Sequence, residues 1–140
     1  MKTTRHQARE VALQILYRCD GEAADSTQTI NDLTRHFDHF HVPNEIREFT
    51  AQLVAGTLRE IKELDSLLEK HASNWKLPRM SYVDRNLLRM SIYELKAFPD
   101  TPVSVVIDEA IELAKQFGTQ ESPSFVNGIL DAVKVSVRSK

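Results

Sequence analysis

The sequence predicts an all-α, single-domain bundle of six or seven helices spanning residues 1–140. Three observations lead there. Apolar residues recur at i, i+3 and i+4 from Ala8 to Val133. The one β-like run, VSVV at 103–106, lies inside a helical period. Proline and glycine fall between the periodic segments, at Gly21, Pro43, Pro78, FPDTP and Gly118.

Each element follows from local pattern. Ala8, Val11, Ala12, Ile15, Leu16 and Cys19 form one stripe, opened by Thr3 or Thr4 as cap and closed by Gly21. Ser26 starts a weaker helix through Ile30, Leu33 and Phe37 that dissolves in HFDHFHVP. After Pro43 and Asn44 the spacing of Ile46, Phe49, Leu53, Leu58, Ile61, Leu64 and Leu68 predicts a long helical segment with a break near Gly56. ASNWKLPRMS is a connection, because Pro78 cannot sit inside a helix. Ser81 with Asp84 resembles a capping box ahead of Val83, Leu87, Leu88, Ile92 and Leu95. Val106, Ile107, Ala110, Ile111, Ala114 and Phe117 make a wide apolar arc, which predicts the helix at the centre of the bundle. Ser122 as N-cap and Pro123 at the first helical position open the last helix.

Composition limits function. At 140 residues the chain can bury a core without staples, and 41% hydrophobic with 27% charged residues is ordinary for a soluble protein. One cysteine, Cys19, allows no internal disulfide, and no apolar run reaches 18 residues, so a cytoplasmic protein without membrane contact is expected. The four glycines are scattered, so no phosphate-cradling loop forms. His36, Asp38, His39 and His41 could supply metal ligands, or could lie at a helix C-terminus where imidazolium suits the dipole. No second ligand cluster accompanies them, so neither metal nor cofactor is expected. Carboxylate pairs such as Asp108 and Glu109, or Glu60 and Glu63, sit on faces typical of solvated helices. No catalytic constellation emerges, and the chain reads as a binding protein rather than an enzyme.

Net charge is −2, yet the ends are basic. Residues 1–18 carry Lys2, Arg5, Arg9 and Arg18 against Glu10, a balance of +3; residues 131–140 carry +2. Such ends are either solvated tails or parts of a positive patch. His6, Arg9, Leu13 and Tyr17 follow one flank of the first helix, with Arg5 in its first turn. Basic groups interleaved with an aromatic suit single-stranded RNA, where cations hold phosphates and a ring stacks on an unpaired base. Packing of Tyr17 at the bundle edge is the alternative. In the last helix Phe125, Gly128 and Ala132 share a smooth flank beside the stripe, with Asn127 on the opposite shoulder. A mid-helix glycine costs about 1 kcal/mol relative to alanine. A close approach is expected to offset that cost, either by a neighbouring helix or by a ligand.

AREVALQILY, VDRNLLRMSIYEL and DEAIELAKQFGTQESPSFVNGILD, in that order, resemble the NusB family of bacterial antitermination factors. FVNGILD after ELAKQFG is the most specific part, and the second-to-third helix region the least distinctive. The resemblance implies an RNA-binding protein. It would recognise the boxA element of ribosomal RNA leader transcripts together with NusE, a small-subunit ribosomal protein, within an RNA polymerase antitermination complex. Arg5, His6, Arg9, Tyr17, Phe125 and Asn127 fall on the RNA side by this likeness, with the cationic and aromatic shoulders adjacent and open to water. Asp84, Arg85, Tyr93 and Glu94 fall in the region expected to face NusE. Where family members often carry consecutive arginines this chain has Arg5-His6-Gln7, which implies fewer neutralised phosphates and more reliance on the partner. Some family members self-associate, so a homodimer stays open. A helical protein-interaction adaptor without RNA binding is the second reading. The fold also serves some ribosomal RNA methyltransferases as an appendage, but a chain ending at Lys140 leaves no room for a cofactor domain.

Overall fold

The computed structural model describes residues 4–72 and 76–138. Thr3 as a cap, Lys2 and Lys140 of the basic ends, and the middle of the ASNWKLPRMS connection lie outside those residues. Eight α-helices and one 3₁₀ turn are present among them, with no strand. The chain divides into two compact units, 1–59 and 60–140.

The first unit holds α1 (Thr4–Gly21), α2 (Ser26–Asn31), α3 (Leu33–His39) and α4 (Asn44–Arg59). α1 packs along α4, where Ala8 and Ala12 are fully enclosed and let the backbones come close. Thr50 bridges the pair: its buried hydroxyl donates to the Ile46 carbonyl at 2.7 Å and lies 3.4 Å from that of Ala8. The weaker helix expected from Ser26 onward is in fact two. Asp32 adopts a bridge-region conformation (φ −93°, ψ 5°), and its carboxylate accepts from the Gln28 amide at 3.0 Å. α2 begins at Ser26 as expected, and Asp25 caps it, accepting from the Thr27 N–H at 2.9 Å.

Arg47 pins the turn between α3 and α4. It donates to the carbonyls of Val42 (2.8 Å) and Phe37 (3.2 Å) and pairs with Asp38 at 2.7 Å. Two of the histidines there make ring contacts: His36 and His39 lie 4.6 and 4.7 Å from the Phe40 ring. Partial burial, then the neighbouring charges of Arg18 and His39, hold His36 below the usual imidazole range. Among the described residues no three His, Cys, Asp or Glu side chains are grouped to hold a metal ion.

The second unit holds α5 (Ile61–His71), the 3₁₀ turn Leu77–Arg79, α6 (Tyr82–Ala97), α7 (Val103–Phe117) and α8 (Ser122–Val137). The long segment breaks at Glu60 (φ −105°, ψ 19°), not at Gly56, which is buried inside α4. Glu60 and Glu63 converge on the Lys96 ammonium at 2.7 and 2.8 Å. Burial alone would lower the Lys96 pKa, but hydrogen bonds and charge from the two carboxylates outweigh it and raise it.

The expectation that α7 is the central helix is corrected within the second unit, where α6 is the more enclosed. It is buried at nine positions and packs on α5, α7 and α8. Polar residues among those nine are accommodated by specific partners. Arg89 forms a two-pronged pair with Asp65 at 2.7 and 3.0 Å and donates to the Asn86 amide oxygen at 3.1 Å. At the other end Arg138 donates to the carbonyls of Leu95 and Phe98, each at 2.7 Å, satisfying acceptors that the helix leaves open.

The turn from α7 to α8 depends on Gly118. Its backbone is extended (φ −96°, ψ −165°), so the left-handed closure expected of a C′ glycine does not occur. Space is the reason for glycine here: a Cβ would meet Ser122 Oγ at 2.5 Å and the Ala114 carbonyl oxygen at 2.8 Å. Ser122 does not cap α8 either. Its buried hydroxyl accepts from the Thr119 N–H at 2.9 Å, and Glu121 occupies the cap position.

Candidate nucleic-acid interface

In the first unit the candidate residues separate by exposure. Arg5 is exposed in the first turn of α1, where the positive end of the helix dipole opposes a cation by about 0.3–1 kcal/mol. An offsetting contact is present: its guanidinium carbon stands over the Phe49 ring of α4, 3.9 Å from the centroid. Cation–π contacts contribute about 0.5–1 kcal/mol at exposed sites. His6 is half-buried and lies 3.7 Å from Glu10, one turn on. Tyr17 is 44% exposed.

Arg9 requires a correction. Its side chain was expected in water on the cationic shoulder, but the residue is only 4% exposed. The flank turns inward between its ends, since Leu13 is 2% exposed. Arg9 lies beside Ala8 and Ala12 on the α4-facing side of α1, its guanidinium 5.4 Å from the Phe49 ring. A group so enclosed cannot reach a phosphate directly.

In the second unit α8 buries Val126, Ile129, Leu130 and Val133 and leaves its flank open. Phe125 is half-buried, whereas Asn127, Gly128 and Ala132 are exposed. A Cβ built at Gly128 meets nothing within 4 Å. The neighbouring-helix explanation for this glycine is thereby removed, at least among the described residues. Gly128→Ala is expected to stabilise the fold by about 1 kcal/mol in urea denaturation, because helix propensity is gained and nothing is displaced. If the flank is a ligand surface, the same substitution weakens RNA binding. A variant more stable yet equal in RNA affinity would show that the flank touches no RNA.

The residues expected to face a protein partner also divide. Arg85 is half-buried, donates to the Leu77 carbonyl at 3.2 Å and stands over the Tyr82 ring at 4.7 Å. Asp84 receives only half of the capping box: its N–H donates to Ser81 Oγ at 3.0 Å. Its own carboxylate is too short to complete the box, and Oδ1 is buried without a hydrogen-bond partner among the described residues. Tyr93 is half-buried and meets Phe98 edge-on. Glu94 is 1% exposed, which corrects its assignment to a partner surface; it belongs to the enclosed length of α6.

Two residues with a bearing on the site were missed by sequence reasoning. Phe49 looks like any core position in the α4 stripe, and only coordinates show two arginines on its ring. Tyr82, 42% exposed at the start of α6, lies outside the apolar stripe and could have been noticed for that reason.

The fold is that of a small all-helical protein that leaves cationic and aromatic side chains, Arg5 and Tyr17 among them, exposed. The chain belongs to the NusB family, whose family model matches residues 6–134. It is 42% identical over 129 residues to the transcription antitermination protein NusB of Desulfatibacillum aliphaticivorans, covering 92% of this chain and 88% of that one. The structure of T. maritima NusB superposes with a TM-score of 0.83 at 35% identity, covering 96% of this chain and 92% of that one. A crystal structure of the antitermination factors NusB and NusE in complex with dsRNA gives the same TM-score at 28% identity, with 97% and 99% covered. The chain is therefore a transcription antitermination factor by family. No helix among the described residues is long and apolar enough to cross a membrane.

Proposed function

We propose that this chain acts as one cytoplasmic RNA-binding domain, without enzymatic activity. It binds boxA-type single-stranded RNA of ribosomal RNA leader transcripts together with NusE, inside an RNA polymerase antitermination complex. Arg5, His6, Tyr17, Phe125 and Asn127 make the RNA contacts, and buried Arg9 adds its charge to the local potential. The observation that carries the reading is the open flank of α8, where a half-buried ring adjoins a glycine that no neighbour requires.

The relative solved with NusE and dsRNA supports an RNA role. An unpaired strand is favoured here because a ring of this kind stacks only on a base freed from its own helix. Tyr82, Asp84, Arg85 and Tyr93 form the NusE-facing surface, with a second copy of this chain as the alternative occupant.

A titration of labelled boxA-type RNA, alone and with saturating NusE, tests the proposal. Unpaired RNA should bind, NusE should tighten binding, and the same sequence as a duplex should bind less well. Absence of RNA binding in both conditions would leave the adaptor reading in its place.

A further inference from the structure

We infer that the guanidinium of Arg5, backed by the Phe49 ring, is a stacking plate for an RNA base and not only a counter-charge for phosphate. The inference rests on the RNA-binding reading above and adds a residue-level role to it. Arg5 is exposed, and its guanidinium carbon lies 3.9 Å from the centroid of a ring that is itself 8% exposed and fixed in the core. That spacing puts the guanidinium carbon in close cation–π contact with the ring, well inside the roughly 6 Å range of such contacts.

A long side chain in a first helical turn would otherwise sample many rotamers, at a cost of about 2 kcal/mol to immobilise on binding. Phe49 restricts that freedom beforehand. A guanidinium laid flat on the ring keeps its other face free for a ligand, Arg5 being exposed, and unpaired bases stack on such planes as they do on aromatic rings. Its N–H edge stays available for a phosphate. Phe49 is therefore a positioning residue: it touches no RNA and acts through Arg5.

Lysine separates the two roles, because it keeps the charge and has no plane. The full chain, with NusE present throughout, is titrated with a short boxA-type single-stranded RNA over a series of salt concentrations. Arg5→Lys should weaken binding by about 5- to 150-fold, nearly as much as Arg5→Ala, from the loss of one stacked base. Its salt slope should match the parent's, whereas Arg5→Ala should lose about 0.7 of slope for one phosphate contact on a single strand. Phe49→Leu should copy Arg5→Lys in affinity and slope, and Phe49→Tyr should bind like the parent.

Arg5 is exposed, so its variants report on binding even where Phe49→Leu perturbs folding. Arg5→Lys binding within twofold of the parent would overturn the inference and reduce Arg5 to a point charge, leaving the RNA reading intact. Failure of the parent itself to bind unpaired RNA would overturn both.

Discussion

Phe125→Ala is expected to weaken binding of unpaired RNA by about 5- to 150-fold, the equivalent of about 1–3 kcal/mol for one stacked base. Phe125 is suited to this because it is neither loose nor enclosed. Its neighbours Val126 and Ile129 anchor the helix in the core, while Phe125 itself is half-buried beside the bare surface of Gly128. Truncation also removes packing, so the alanine variant alone does not isolate stacking. Phe125→Leu does, since it keeps apolar volume and loses the aromatic face. The expected order of affinity is Phe125 parent, then Tyr close to it, then Leu, then Ala. Fluorescence anisotropy below the melting range of every variant provides the comparison. A leucine variant that binds as tightly as the parent would mean that the ring is packing material only.

Arg89→Met is expected to destabilise the fold by about 3 kcal/mol. Arg89 is buried at the centre of the second unit and engages both oxygens of Asp65. Removing one member of a buried pair typically costs about 3–5 kcal/mol, chiefly because the remaining charge is stranded. The lower end applies because the Asp65 side chain keeps 25% of its exposure and can recruit water. Asn86 also loses a donor at 3.1 Å. The double variant Arg89→Met with Asp65→Leu should recover much of the loss, since no charge is then left unpaired. Urea denaturation of the parent, both single variants and the double variant measures the coupling. A cost below about 1 kcal/mol for Arg89→Met would place the pair among ordinary surface bridges.

How much of this was legible in the sequence depends on the kind of physics involved. Helical periodicity was read well because burial of a stripe repeats with the backbone; Ala8, Ala12, Leu16, Leu87, Leu88, Val126 and Leu130 are all enclosed as their spacing implies. Boundaries set by single side chains were not legible. Asp32 splits α2 from α3 through its own conformation, and Glu60 rather than the more conspicuous Gly56 ends α4. Gly118 falls between two periodic segments as expected, but the reason for glycine there is room against Ser122. That is a tertiary fact with no local signature.

The candidate site divides in the same way. Periodicity alone placed Phe125, Asn127 and Gly128 off the apolar stripe, and all three remain accessible in some measure. Arg9 and Glu94 could not be read, because a charged residue signals solvent only until a partner is known, and both are almost wholly enclosed. Family resemblance supplied the assignment to antitermination, which no spacing rule contains; the family match over residues 6–134 bears it out. The aromatic plate under Arg5 needed coordinates, since Phe49 is 44 positions away in sequence.

The most direct measurement is a chemical-shift map of the isotope-labelled chain as a short unpaired RNA is added. The account predicts that perturbed amides concentrate at the start of α1 and around Phe125, Asn127 and Gly128 on α8. Shifts confined to α2, α3 and α5, with those two segments silent while RNA binds, would contradict it.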